Sequence, residues 1–233
     1  MIIQFDKRIG ETMDELIRRF RQEHSIDNKI KVAYAGRLDP LAFGKIILLT
    51  DSDIYNKEKY CGKDKTYTTW IVHGIQTDTY DIMGKIVSDK NWEPVYNNVE
   101  DLEYDQQYPM YSSIYVIQNG MRKPLWYYEK NNIKVENMPS KKVKLISSEK
   151  ISEDIILSIE LFRIIKDRID KVIKDTYRQD EIIALWSNKL DDNKEYTISK
   201  WRFSITSGGY IRYLANQMNG CCYDIERVCY HDL

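Results

Sequence analysis

The sequence predicts an α+β domain built on a mixed, mainly antiparallel sheet. Strand-like and helix-like segments both occur, without the strict strand–helix–strand alternation of a parallel sheet. β-Branched and aromatic residues concentrate at positions 45–50, 66–73 and 194–206, which indicates strands. Apolar residues at helical spacing in 11–23, and again from residue 162, indicate helices that flank the sheet.

The first helix is predicted over residues 11–23. Thr12 or Glu11 stands near its start, where a capping side chain is expected. The apolar residues that form its buried face are Met13, Leu16, Ile17 and Phe20.

The chain after residue 140 is predicted to form strands and then a helical stretch. The strand pattern comprises Val143, Leu145, Ile155, Leu157, Ile159 and Leu161. From Phe162 the apolar spacing becomes helical and remains so into the 180s, beginning with Ile165, Ile169, Val172 and Ile173.

The composition indicates one soluble, intracellular domain. The chain has 233 residues, of which 42% are hydrophobic, so it can bury a sizeable core. It contains no long polar tract, no apolar run of membrane length and no signal-like N-terminus. The cysteines at positions 61, 221, 222 and 229 lack the paired spacing of a metal site, so we expect reduced structural thiols and no metal.

One carboxylate stands in a constrained position. The segment AGRLDPLA, residues 35–42, precedes an apolar run and places Asp39 on a turn at the edge of a buried strand. Gly36 admits tight or positive-φ geometry, and Pro40 fixes its own φ. An acid held this rigidly is a candidate for catalysis, although an aspartate before proline also commonly caps a turn.

This stretch, extended to AYAGRLDPLAFG, resembles the central motif of the TruB family of pseudouridine synthases. Other segments resemble the same family in the same order: FDKRIGETMDELIRRFR (5–21), KTYTTWIVHGIQTDTYDIMG (65–84), QQYPMYSS (106–113) and SGGYIRYLANQM (207–218). The resemblance implies the pseudouridine synthase fold with an RNA-binding cleft. It also implies isomerisation of uridine to pseudouridine, most specifically in the tRNA T-loop, without cofactor or metal.

The resemblance assigns the catalytic residues. Asp39 is the essential acid, and it acts either as a nucleophile at the sugar C1′ or as a base at C2′; the sequence leaves both routes open. Arg212 pairs with it, although an arginine at a helix start can also be a surface residue. Tyr67 stacks on the flipped base and helps remove the C5 proton, and Tyr210 packs beneath the base.

Other residues of the motifs carry weaker expectations. Segment 77–81 (TDTYD) contains two acids that could suggest acid–base or metal chemistry, but such side chains commonly bond their own backbone, so we predict a structural wall of the cleft. Tyr34 stands where most relatives have histidine. Arg37 replaces a small residue, as in the RluA and RsuA branches, and could fill the space of an extruded base. Val228 keeps the apolar spacing of the substrate pocket, whereas Tyr230 or His231 replaces a basic residue of the family.

The helical stretch at about 162–190 departs from the family. It is predicted to be a surface insertion, although its cations make it a candidate extra RNA contact: Arg163, Lys166, Arg168, Lys171, Lys174 and Arg178. With the chain ending at residue 233, we expect a single catalytic domain over 1–233 and no PUA domain.

The expected partner is RNA, with tRNA the favoured class, bound by a cytoplasmic monomer. The formal net charge of −1 is low for an RNA-binding protein, so its cations must be clustered. The clusters are Arg18, Arg19 and Arg21; Arg122 and Lys123; and Lys141, Lys142 and Lys144, each equally typical of a solvated face. The alternatives are a pseudouridine synthase for another RNA and a catalytically inert RNA-binding or tRNA-folding protein.

Overall fold

A computed structural model describes residues 1–88, 100–173, 177–190 and 193–232. Its strands are β1 (Ile2–Lys7), β2 (Val32–Ala35), β3 (Phe43–Thr50), β4 (Lys65–His73), β5 (Gln76–Thr77), β6 (Ile86–Ser88), β7 (Glu100–Gln107), β8 (Tyr115–Gln118), β9 (Met121–Pro124), β10 (Ser140–Leu157), β11 (Glu195–Ile205) and β12 (Gly220–Tyr230). Its α-helices are α1 (Met13–Glu23), α2 (Lys57–Cys61), α3 (Leu125–Lys130), α4 (Ser158–Asp170), α5 (Gln179–Lys189) and α6 (Ile211–Gln217).

A mixed sheet organises these elements. The strand order is β1-β3-β12-β4-β11-β10-β7, and β2 also pairs with β3. Among the described residues, the pairs of this sheet are antiparallel except for β3 and β12, which meet in parallel at Phe43–Glu226 and Gly44–Arg227. The predicted fold class is therefore confirmed, and the strands expected at 45–50, 66–73 and 194–206 lie within or closely match β3, β4 and β11.

The first predicted helix is confirmed as α1. Thr12 caps it: its side chain accepts a hydrogen bond from the Glu15 backbone N–H, and the Glu15 carboxylate accepts one from the Thr12 backbone N–H. Met13, Leu16 and Phe20 of α1 are buried against the β1–β3 side of the sheet.

The strand prediction for Ile159 and Leu161 was wrong, because α4 begins at Ser158. Leu161 is fully buried on the inner face of α4 together with Ile165 and Ile169. Residues four apart lie on one helix face, so this set satisfies a helical period. Ile155, Leu157, Ile159 and Leu161 also alternate with a period of two, so the predicted strand was extended past Leu157 into the first turn of α4.

The helical stretch predicted at about 162–190 corresponds to two helices, α4 and α5. Residues 174–176 between them, including Lys174, lie outside the described residues. The buried faces of α4 and α5 form a core cluster with Leu41, Ile75, Ile82 and Cys221. A second cluster packs α6 against the opposite side of β4 and β11. Within the described ranges, no helix is long and apolar enough to span a membrane.

Candidate active site

Asp39 occupies the first position of a tight turn between β2 and β3. The Ala42 backbone N–H donates to the Asp39 carbonyl at 3.1 Å, and Pro40 takes the second position, which its fixed φ favours. Leu38 and Leu41, on either side, are each 5% exposed and insert into different core clusters. The turn is thus anchored on both sides, while 39% of the Asp39 side chain remains exposed to solvent.

Lys7, at the end of β1, supports this turn from below. Its ammonium donates to the carbonyls of Pro40 at 3.0 Å and Ala42 at 2.7 Å. Burial lowers the pKa of Lys7 to about 8, and the nearby Asp39 opposes that decrease. Lys7 belongs to the N-terminal motif FDKRIGETMDELIRRFR, but nothing local in the sequence shows that β1 ends beneath residues 40–42.

Arg212 is the second residue of α6 and is buried. Its Nε lies 2.9 Å from Asp39 Oδ2 and 3.6 Å from Asp81 Oδ2. The expected proximity to Asp39 is therefore present, as an ion pair, since among the described residues Nε has no acceptor aligned for a hydrogen bond. Nη1 and Nη2 donate to the carbonyls of Thr79 and Tyr111 at 2.5 and 3.3 Å. Although burial opposes its charge, the two carboxylates raise the pKa of Arg212.

Asp81 is the second carboxylate on Arg212. Its Oδ1 accepts hydrogen bonds from Thr79 Oγ1 at 2.6 Å and from the Met83 backbone N–H at 2.9 Å, as the local-bonding interpretation of segment 77–81 predicts. Burial raises the pKa of Asp81 to about 6, and Arg212 limits that increase. The buried carboxylate beside Arg212 is thus Asp81, whereas Asp39 faces the solvent. Sequence reasoning missed this contact.

Tyr67, on β4, is held by an arginine that sequence reasoning also missed. Arg227 of β12 is 3% exposed, and its Nε donates to the Tyr67 hydroxyl at 3.1 Å. Its Nη1 and Nη2 donate to the carbonyls of Gly36 at 2.8 Å and Arg37 at 3.2 Å. One guanidinium therefore ties Tyr67 to the segment that leads to Asp39. The sequence signal for this role was that Arg227 is the single arginine among the apolar residues of β12.

The remaining predicted substrate-binding residues lie at different distances from this centre. The Tyr210 ring centre is 5.9 Å from the Arg212 guanidinium carbon, and burial raises the Tyr210 pKa to about 12. Arg37 is exposed, with Nη1 3.5 Å from Ser113 Oγ in the loop between β7 and β8. Tyr34 packs with the α1 cluster instead, and Val228, 36% exposed, lies at a bulge of β12.

The predicted cation clusters fall into two groups: cations paired within the protein, and cations on an exposed hairpin. Arg19 pairs with Glu11 and Glu23, Lys144 pairs with Asp101, and Lys141 donates to a backbone carbonyl. By contrast, the β8–β9 hairpin is exposed and combines basic with aromatic side chains: Arg122 lies over Tyr115 at 4.7 Å, and Lys123 over Tyr127 at 5.1 Å. Such a surface suits phosphates and unstacked bases.

These contacts define a partly exposed carboxylate fixed by a buried guanidinium, with the Tyr210 ring against that guanidinium and Tyr67 tied by Arg227 to the segment that leads to Asp39. An ionised carboxylate of this kind can attack an electrophilic carbon or accept a proton, and the rings can stack on a planar base.

The free cysteines predicted from spacing are present: Cys221 and Cys222 are buried, and Cys61 and Cys229 are partly buried.

The fold agrees with a known class. The structure aligns over 98% of this chain with 48% of a chain in the crystal structure of a Cbf5-Nop10-Gar1 complex, with a TM-score of 0.51 and 14% identity. This likeness identifies the pseudouridine synthase fold. The sequence identifies the family: the model described as TruB family pseudouridylate synthase (N terminal domain) matches residues 22–161, more than half of the chain. The chain belongs to the TruB family.

Curated relatives agree with this assignment. A tRNA pseudouridine synthase B of Ureaplasma urealyticum is 32% identical over 145 residues, covering 59% of this chain and 60% of the relative. One from Caldicellulosiruptor saccharolyticus is 30% identical over 157 residues, covering 65% of this chain and 52% of the relative. The chain therefore spans roughly half the length of these relatives.

Proposed function

We propose that this chain is an RNA pseudouridine synthase that isomerises uridine to pseudouridine, with Asp39 as the essential carboxylate. The observation that carries the proposal is the partly exposed Asp39 carboxylate 2.9 Å from the buried Arg212 guanidinium, on the turn that bears the family motif. Binding alone would not require the fixed, charge-paired Asp39 carboxylate together with Tyr67 and Arg212.

The proposed reaction detaches the base at N1, rotates it and rejoins it through C5. Asp39 either attacks C1′ or removes the C2′ proton to give a glycal, and both routes need the carboxylate ionised and oriented. Arg212 orients the Asp39 carboxylate, because its buried guanidinium lies 2.9 Å from Oδ2. Rotation about the cleaved bond needs a pocket that holds a flat ring without fixing its polar edge, which aromatic side chains provide.

Tyr67 and Tyr210 supply that pocket in this proposal. The Tyr67 hydroxyl, positioned by Arg227, takes part in removing the C5 proton once the new C–C bond has formed. Tyr210 is supported edge-to-face by Tyr108, with ring centres 5.7 Å apart, and lies under the base. Val228, at its partly exposed bulge, contributes an apolar contact.

The proposed substrate is the T-loop of tRNA, because the relatives are named tRNA pseudouridine synthase B. The basic and aromatic β8–β9 hairpin is the surface we assign to RNA outside the pocket, and we expect a cytoplasmic monomer. A second candidate substrate is another RNA. It is favoured by Tyr34 at a position where relatives have histidine, because tyrosine can stack but carries no positive charge near neutral pH.

The decisive test is Asp39→Asn, with Asp6→Asn as the matched control. Asp6 is a 63% exposed aspartate on β1, paired with Lys45. An amide can neither attack C1′ nor accept the C2′ proton, so the Asp39 variant should form no pseudouridine while still binding RNA. Release of tritium from RNA labelled at uridine C5 measures the reaction. If the Asp39 variant turns over within about tenfold of wild type, a ratio worth about 1.4 kcal/mol of barrier, Asp39 is not the catalytic acid.

A further inference from the structure

The described parts of the helical segment 158–190, residues 158–173 and 177–190, contact the loops that build the candidate site. Except for its first residues, the segment lies outside residues 22–161 that match the family. Trp186 of α5 donates from its indole N–H to the carbonyl of Ile82 at 3.1 Å, one residue after Asp81. The apolar face of the segment also packs against Leu41, which lies two residues after Asp39. The segment is therefore packed against both carboxylate-bearing loops rather than projecting from the surface.

The end of α4 supports the Asp39 turn by a second route. A Cβ on Gly10 would lie 2.1 Å from the Lys171 carbonyl oxygen, so the two backbones meet too closely for any other residue. Gly10 in turn donates its N–H to the Pro40 carbonyl at 3.0 Å. Gly10 thus contacts both the backbone at the end of α4 and the Asp39 turn.

Arg178, directly before α5, makes the most specific of these contacts. Its Nη1 and Nη2 lie 3.0 and 3.4 Å from the two carboxylate oxygens of Asp78, in the loop of Thr79 and Asp81. Its guanidinium carbon lies 4.6 Å from the ring centre of Tyr111. Arg178 therefore clamps two segments together. The Thr79 carbonyl of one and the Tyr111 carbonyl of the other accept hydrogen bonds from the Arg212 guanidinium.

The backbone at Arg178 is held in a costly conformation to make this clamp. Its φ is +61°, in the left-handed region that a residue with a Cβ disfavours. The adjacent Gln179 fixes the connection, because its side-chain amide donates to the carbonyls of Val172 and Ile173 and accepts from the Tyr177 N–H. A glycine would adopt this φ with less strain, so the contacts of the Arg178 side chain come with a backbone cost that glycine would not incur.

We propose that Arg178 is a positioning residue of the active site and that segment 158–190 acts as its brace. By fixing Asp78 and Tyr111, Arg178 holds the Thr79 and Tyr111 carbonyls where they orient Arg212, which in turn orients Asp39. This inference rests on the proposed function, since the orientation of Asp39 matters only if its carboxylate reacts.

The charges of the segment favour this role over an RNA contact. Lys166 pairs with Asp170, Lys171 with Asp167, and Arg168 bonds both carboxylate oxygens of Asp224. Cations already neutralised by carboxylates release few counterions from RNA, so they add little affinity.

The test compares Arg178→Gly, Arg178→Ala and Arg178→Lys in the full chain, with Lys189→Ala as a control that removes one positive charge from the other end of α5. We expect the Gly and Ala variants to lose about tenfold or more in single-turnover rate at saturating RNA, since displacements near 1 Å can cost up to about a hundredfold. Their RNA dissociation constants should change by less than about twofold, a difference below 0.5 kcal/mol. The Lys variant should fall between them and wild type, because an ammonium keeps the charge but not the fork or the flat stacking.

The glycine variant separates positioning from stability. Glycine relieves the left-handed strain, so Arg178→Gly should melt at a higher temperature than Arg178→Ala while reacting equally slowly. If the reaction rate instead recovers along with the melting temperature, Arg178 is merely structural. If RNA affinity falls, with a smaller salt dependence and an unchanged rate, the residue is an RNA contact. Both results overturn the inference, as does a wild-type rate in Arg178→Gly. If the wild-type chain forms no pseudouridine, the proposed function itself fails.

Discussion

Replacing Arg212 by alanine should destabilise the fold mainly through Asp81. Asp81 is buried, and even with Arg212 beside it burial raises its pKa to about 6. Removing one partner of a buried ion pair costs about 3–5 kcal/mol of folding free energy, because the other charge is left uncompensated. Asp39 contributes less to this loss, because 39% of its side chain is exposed and water can solvate it. Arg212→Ala should therefore cost about 3–5 kcal/mol at pH 7.5.

The pH dependence of this loss has a definite sign. A carboxyl whose folded pKa is raised destabilises the fold as pH rises from its unfolded value through its folded value. For Asp81 in the wild type that interval extends from 3.8 to about 6. Without Arg212 the folded pKa moves higher, so the variant should regain stability relative to wild type between pH 8 and pH 5.5 as Asp81 takes up a proton.

Urea unfolding of a small set of variants checks this reasoning. Asp81→Asn in the Arg212→Ala background should recover about 2–3 kcal/mol, since the amide oxygen still accepts from Thr79 and Met83 and no charge remains. Asp39→Asn in the same background should recover less than about 1 kcal/mol, as expected for an exposed charge. Equal recovery by the two substitutions, or additive effects of Arg212→Ala and Asp81→Asn, would refute the assignment of Asp81 as the buried partner. If Arg212→Ala does not fold, Arg212→Gln, which also removes the positive charge but keeps a polar side chain, serves as the background.

Two further predictions concern the Asp39 turn. Lys7→Met keeps the side-chain stem but leaves the Pro40 and Ala42 carbonyls without their donor, so it should cost about 1–3 kcal/mol in urea unfolding and slow the reaction; a variant with unchanged stability would contradict the role of Lys7. Arg37→Ala should slow modification of a folded stem-loop more than that of an unstructured RNA with the same uridine, because a base must leave its stack at a cost of about a few kcal/mol. Equal losses on the two RNAs would show that Arg37 does not assist that step.

Local patterns predicted the elements whose burial follows a single period. β3, β4, β11 and α1 were predicted because their apolar residues either run continuously or repeat with one spacing. The boundary at Ser158 was missed because Ile155, Leu157, Ile159 and Leu161 satisfy a period of two across a change of structure. Ile155 and Leu157 are 69% and 48% exposed, so burial does not support the alternation that suggested the strand.

The residues of the candidate site that lie in short motifs could be predicted from the sequence. Those whose contacts depend on strand register or on loop placement could not. Asp39, Tyr67 and Arg212 came from short motifs, and the structure brings Asp39 and Arg212 into contact. Arg227 reaches Tyr67 only because β12 pairs with β4 in the register that places the two residues opposite each other. Asp81 faces Arg212 only because its loop lies beside α6. Neither relation is encoded within a short stretch of sequence.

Buried arginines explain how a chain of low net charge can build this site. The segments around Asp39 and Asp81 are irregular, so their carbonyls need donors that a strand or helix would otherwise supply. Arg212 donates to the Thr79 and Tyr111 carbonyls, and Arg227 donates to those of Gly36 and Arg37. A guanidinium carries five donors in a fixed plane, so one side chain can bind several segments at once. These cations are therefore committed to the loops of the candidate site, and the RNA contact that we propose falls to exposed groups elsewhere, chiefly Arg37 and the β8–β9 hairpin.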